Sequence, residues 1–158
     1  MENLQLKTIS IDTFRVIGIS LPYKTHNIDG RSTDDCSYLW EKFFNENYSE
    51  KIPDKINNDV IAVYFEYEGG NSNPFSYLVG HRVNIDTPSP PGLQHVDIVA
   101  GKYLKVTAQG KMPECLQEAW NDIWQSDLKR TFQYDFEIYD QHKLNADYAE
   151  VDILVGIS

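Results

Sequence analysis

Apolar and polar positions along the chain follow two rhythms, a strict alternation and a spacing of three and four. Residues 12–23 open with Asp12-Thr-Phe-Arg-Val-Ile-Gly-Ile-Ser-Leu, a β-rich run that predicts the first strand. Ser32-Thr33-Asp34-Asp35 then offers a helix N-cap with acidic residues in the first turn. The spacing predicts a helix over about 34–48, with Cys36, Leu39, Trp40, Phe43 and Phe44 on one stripe. A polar, proline-containing connection (51–59) leads to Val60-Ile-Ala-Val-Tyr-Phe-Glu-Tyr-Glu, a strand ending at the Gly69-Gly70-Asn71 turn. Its antiparallel partner is expected at 75–83. Asp86-Thr-Pro-Ser-Pro-Pro-Gly92 is the strongest breaker cluster in the sequence. Beyond it come strand signals in 94–109 and a helix from Pro113 to about 126, with Leu116, Ala119, Trp120, Ile123 and Trp124 inward. Strands at 135–139 and 151–157 close the chain, separated by a loop at 141–145.

This order reads as a repeat. Trp40 with Phe43 and Phe44 matches Trp120 with Ile123 and Trp124. Phe65-Glu66-Tyr67 matches Phe136-Glu137-Ile138, and Tyr77-Leu-Val-Gly matches Ile153-Leu-Val-Gly. The pattern therefore predicts one α+β domain over 1–158, built from duplicated β-α-β-β modules with antiparallel sheets. The first module would cover about 1–85, the connector 86–92 and the second module about 93–158.

Alternation sends neighbouring side chains to opposite faces. Ile61, Val63, Phe65 and Tyr67 share one face of the first central strand, and Tyr134, Phe136 and Ile138 one face of the second. These apolar faces are expected beneath the two Trp-bearing helices. The opposite faces carry Ala62, Tyr64, Glu66 and Glu68, and Asp135, Glu137 and Tyr139, and could line a shared concavity. Carboxylates beside aromatic rings prefer cations, because the ring face adds roughly 0.5–2 kcal/mol to the charge term. The plainer alternative is a half-wet sheet with both glutamates in solvent.

Charge narrows the classes. Fourteen Lys+Arg against 24 Asp+Glu give a net charge of −10, with no basic stripe, which argues against nucleic-acid binding. No apolar run reaches membrane-spanning length, and the N-terminus lacks a signal-peptide profile. Cys36 and Cys115 form no disulfide framework and read as reduced core thiols of a cytoplasmic protein. His26, His81, His95 and His142 have no ligand spacing, and no phosphate loop or nucleophile elbow is present, so neither metal nor cofactor is expected.

The Phe136-Glu137-Ile138-Tyr139 segment after a Trp-rich helix, the earlier Ala100-Gly-Lys-Tyr-Leu-Lys-Val106 and the duplicated order resemble the gyrase-inhibitor-like family. Its members include the effector-binding domains of AraC-type and MerR-type multidrug regulators. The resemblance covers essentially the whole chain. It implies a pair of modules with pseudo-twofold symmetry and a ligand groove between them, with Glu137 as an acidic floor for lipophilic cations. Trp40, Tyr64, Trp120 and Tyr139 would form aromatic walls, with Glu66 a further candidate from the strand faces. The two modules leave no room for a helix-turn-helix, so a stand-alone small-molecule-binding protein for drug sensing or sequestration is expected. Two alternatives stay open. Glu137 could serve as general base in a hydrolase of electrophilic cyclopropane-type toxins, with Tyr64 or Tyr139 as hydrogen-bond partner. Alternatively, the acidic surface could bind a protein, as a gyrase inhibitor would. Exposed strand edges leave open a homodimer or a regulatory protein partner.

Overall fold

The computed structural model describes residues 5–145 and 147–158. Eight strands and three helices follow the chain in the order β1 (Gln5–Ile11), β2 (Phe14–Ser20), α1 (Arg31–Asn45), α2 (Tyr48–Lys51), β3 (Val60–Phe65) and β4 (Ser76–Val83). After the proline-rich connector come β5 (Gln94–Ile98), β6 (Gly101–Gly110), α3 (Glu114–Gln125), β7 (Arg130–Tyr139) and β8 (Ala149–Ile157). The fold is α+β. Among the described residues no helix is long and apolar enough to cross a membrane.

All eight strands join one antiparallel sheet in the order β1-β6-β8-β7-β3-β4-β2-β5. The edge strands are exchanged: β1 precedes β2 in the chain but pairs with β6, and β5 precedes β6 but pairs with β2. This forces the sheet to curl. In a flat sheet β1 and β2, six places apart, would lie roughly 29 Å from each other. The three Cα steps from Ile11 to Phe14 reach about 11 Å at most. The two short links also touch, the Ala100 N–H donating to Thr13 Oγ1 at 2.9 Å.

The curl encloses one face of the sheet. Phe14, Val16, Ile61, Val63, Leu78, Val96, Ile98, Tyr103, Phe136 and Leu154 fill that interior, with Ile9 and Ile11 packed against them. Phe136 sits edge-on to Phe14 and Tyr103, at ring centroid distances of 5.2 and 5.6 Å. The outer face carries the helices. α1 buries Leu39 and Phe43 against β2, β3 and β4, while α3 buries Ala119, Trp120 and Ile123 against β6 and β8. This corrects the expected layering. The apolar faces of β3 and β7 lie inside the curl, and the helices cover the Tyr/Glu face.

β2 and β4 approach closely where Gly18 faces Gly80. A Cβ on Gly80 would stand 2.0 Å from the Ile17 carbonyl oxygen, so no side chain fits. Several boundaries also move. β1 lies ahead of the expected first strand. α1 starts at Arg31 after a left-handed Gly30, with no side-chain cap, because Ser32 Oγ instead donates to Asn27 Oδ1 at 2.8 Å. Phe44 leaves the apolar stripe and is 51% exposed, although its ring stacks on Trp40.

Candidate functional site

Between α1 and α3, above β3, β4 and β7, lies a cavity of about 440 Å³. Its floor is the Tyr/Glu face. Tyr64 and Tyr77 rise from β3 and β4, and Glu137 and Tyr139 from β7, while Cys36 and Trp40 enter from α1 and Leu116, Trp120 and Trp124 from α3. Five of the six site residues singled out in the sequence are brought together here. The register does this: Ala62 pairs with Glu137 and Tyr64 with Asp135, so the outward side chains of the two central strands are neighbours.

Glu66 is the exception and is corrected. It stands one residue beyond β3 with φ at 52°, a left-handed conformation that breaks the alternation. Its side chain is exposed, outside the cavity wall, and accepts a hydrogen bond from Ser76 Oγ at 2.7 Å. The same irregularity swings Tyr67 away from the face it was expected to share with Ile61 and Val63. Tyr67 lines the cavity instead.

Glu137 is 1% exposed and accepts three hydrogen bonds. Tyr64 Oη donates to Oε2 at 2.8 Å, Trp120 Nε1 to Oε2 at 2.6 Å, and Tyr139 Oη to Oε1 at 2.6 Å. All three donors are neutral. Burial pushes the carboxyl above its ordinary value of 4.5, and the three hydrogen bonds only partly offset this. Burial first, and the charge of Glu137 next, push the Tyr64 and Tyr139 phenols up, so they remain donors. Tyr77, also pushed up by burial, accepts from Trp40 Nε1 at 2.8 Å. A ring of hydrogen-bonded aromatic groups thus surrounds one carboxylate.

The second acid on this face is Asp135, two residues away on β7 and fully buried. It is paired where Glu137 is not. Arg130 Nη2 lies 2.7 Å from Asp135 Oδ2, Tyr67 Oη donates to the same oxygen at 2.6 Å, and the Gly156 N–H donates to Oδ1 at 2.9 Å. Arg130 also donates to Asn71 Oδ1, and Asn71 in turn bonds the Trp124 carbonyl at 3.3 Å. Among the described residues no Lys, Arg or His forms an ion pair with Glu137. No group of His, Cys, Asp and Glu among them is arranged to hold a metal ion.

Asp135 was legible as a neighbour of Glu137 by alternation, but its partner was not. Five residues along a regular strand place side chains on opposite faces and about 17 Å apart. A register shift between Arg130 and Asp135, with Phe132 at φ 52°, folds the start of β7 back and lets the pair form. A non-glycine residue held there costs on the order of 1–2 kcal/mol. The cation lies over the rings of Phe132 and Trp120, at 4.2 and 5.9 Å from their centroids.

Residues 8–157 match the family described as integron-associated effector binding protein. The chain is 30% identical over 123 residues to the protein YobU of Bacillus subtilis (strain 168), whose name proposes it as a transcriptional regulator; the match covers 75% of this chain and 77% of that one. An integron cassette protein from the mobile metagenome of Vibrio cholerae has a similar structure, with a TM-score of 0.73, 27% identity and 99% and 100% coverage. The fold is also shared with SAV2435, solved bound to tetraphenylphosphonium, at a TM-score of 0.75, 14% identity and 98% and 94% coverage. The EcmrR C-terminal domain gives 0.67, 13%, and 99% and 98%.

Proposed function

As this chain belongs to the family of integron-associated effector-binding proteins, we propose that it binds lipophilic cationic small molecules in the cavity between α1 and α3. The observation that carries this reading is Glu137, a buried carboxylate that has three neutral donors and no cationic partner among the described residues. Neutral hydrogen bonds keep such a carboxylate oriented but leave its charge uncompensated, so a ligand that brings a positive charge into the cavity gains the attraction. Trp40, Tyr64, Trp120 and Tyr139 supply apolar area and ring faces to the same ligand. The like-folded SAV2435, with its lipophilic phosphonium ligand, supports the same chemistry. The role is effector binding, as a sensor or sequestering protein, without chemical conversion of the ligand.

The test uses the tryptophans as reporters. Fluorescence titration with tetraphenylphosphonium and with neutral analogues of similar size compares charge at constant shape. Glu137→Gln should weaken cation binding by roughly 10- to 100-fold, about 1.4–2.7 kcal/mol, and leave neutral ligands nearly unchanged. Equal affinity of the native protein for both sets would reject the reading. Mass spectrometry after incubation with electrophilic cyclopropane compounds addresses the alternative of general-base hydrolysis. Hydrated product from the native chain but not from Glu137→Gln would replace binding by catalysis.

A further inference from the structure

Two acids sit side by side on the cavity face of β7, and only one of them is left for a ligand. Asp135 and Glu137, two residues apart on the same face, have Cα atoms about 7 Å from each other. Both are buried. Arg130, its side chain 5% exposed, occupies Asp135 with its guanidinium and lines the cavity. Nothing in the regular geometry of a strand would place it there. The pairing depends on the register shift at the start of β7 and on Phe132 in its left-handed conformation. The guanidinium lies over the rings of Phe132 and Trp120, and Asn71 takes its remaining terminal nitrogen.

We propose that Arg130 is a resident counter-ion that sets the charge capacity of the cavity at one, so that it accepts lipophilic ligands with a single positive charge and rejects those with two. The inference rests on the cation-binding reading of Glu137 and adds a rule about which cations qualify. A ligand's first charge meets Glu137. A second charge a few ångströms away meets not a free carboxylate but one already neutralised by the guanidinium, so no attraction offsets the cost of taking that charge out of water. Without Arg130 the same face would offer two carboxylates, a geometry that favours a dication. Arg130 is thus a specificity-determining residue. It acts by excluding a class of ligand.

Shape-matched probes isolate the charge. In 1-tert-butyl-4-(trimethylammonio)benzene one end is neutral, and 1,4-bis(trimethylammonio)benzene replaces it by an isosteric cation. The native protein should bind the monocation at least about tenfold tighter than the dication. Arg130→Met, which keeps the length of the side chain and removes the charge, should erase or reverse that ratio. A merely structural Arg130 would leave the ratio unchanged while lowering the melting temperature.

Equal native affinities for the two probes would overturn the inference, as would a folded Arg130→Met protein with the native ratio. If Arg130→Met does not fold, Arg130→Gln retains hydrogen-bonding groups and is read in the same way, and the native ratio stands as a criterion that needs no variant. Failure of the underlying reading looks different. There the monocation does not bind, or Glu137→Gln leaves its affinity unchanged, and this inference falls with it. When monocation binding depends on Glu137 but the dication binds equally well, only the Arg130 inference is lost.

Discussion

Trp40 and Trp120 are anchored to the sheet by the same bond made to different partners. Trp40 Nε1 donates to the Tyr77 hydroxyl at 2.8 Å, and Trp120 Nε1 to the Glu137 carboxylate at 2.6 Å. The first bond joins neutral groups and the second is charge-assisted, which makes it shorter and stronger. Trp40→Phe should therefore cost about 1 kcal/mol of stability, and Trp120→Phe about 1–3 kcal/mol, because a buried carboxylate oxygen loses a donor. Urea unfolding of both variants at neutral pH checks the order. A larger loss at Trp40 would contradict it.

Cation affinity should depend on pH through Glu137. Its carboxyl is raised above 4.5, chiefly by burial, so it takes up a proton earlier than an ordinary carboxylate as the solution is acidified. Binding of a permanent cation should weaken over that window, above pH 4.5, and Glu137→Gln should lack the effect. The sign for stability is the reverse. Between 4.5 and the raised folded value the native state binds more protons than the unfolded chain, so this residue makes stability fall as pH rises. Asp97 sits below its ordinary 3.8, chiefly through its hydrogen bond from Arg15, and Asp35 also sits below 3.8 because the hydrogen bonds it accepts, Arg31's among them, outweigh burial. Their stabilisation is lost only at lower pH. Affinity titrations from pH 4 to 8 with a phosphonium probe, beside melting curves, separate the two signs.

Cys36 lines the cavity, and burial, followed by the charge of Glu137, pushes its thiol well above the ordinary 9.0. Its alkylation by iodoacetamide at neutral pH should be slow, since the thiolate is the reactive form. In a Cys115→Ser background, Glu137→Gln should speed the reaction, and a bound cation should suppress it by occlusion. Mass spectrometry of the labelled chain reads both effects. Fast labelling unaffected by ligand would place the thiol outside the cavity.

Gly80→Ala tests the contact between β2 and β4. The new Cβ would meet the Ile17 carbonyl oxygen at 2.0 Å and the Gly18 Cα at 2.8 Å, both backbone atoms that cannot turn aside. The strands must part, at a cost of about 2–3 kcal/mol and a fall in Tm of roughly 4–12 °C. A variant as stable as the parent would mean that the strands do not approach so closely.

What could be seen in the sequence was whatever local pattern determines. The helix stripes gave α1 and α3, and alternation put Glu137 and Tyr139 on one face of β7. The strand β1 escaped notice because it joins a partner about a hundred residues away, and no local pattern encodes that pairing. The layering was inverted because alternation separates two faces without saying which one the helices cover. Glu66 and Tyr67 were misassigned for a single physical reason, the left-handed backbone at Glu66, which a glutamate does not advertise. Matching Glu66 to Glu137 compounded the error. The strand pairing sets Ala62 opposite Glu137 and Tyr64 on the diagonal, close enough for its hydroxyl to reach the carboxylate. Arg130 carried no signal at all, because its odd spacing from Asp135 argues against a contact.

The exchange of edge strands bears on how the molecule assembles. A chain severed between Asp86 and Gly92 would divide at the softest point of the sequence, yet neither fragment would be a finished half. The N-terminal piece would carry β1 with nothing to lay it against, and the C-terminal piece would carry β5 in the same condition, each missing what the other holds. The interior filled by all eight strands closes only after both crossings are made. Folding accordingly waits on contacts between residues far apart in the chain, which is slow. Two such fragments should reconstitute each other when mixed and stay open when kept apart, as halves of a clasp do.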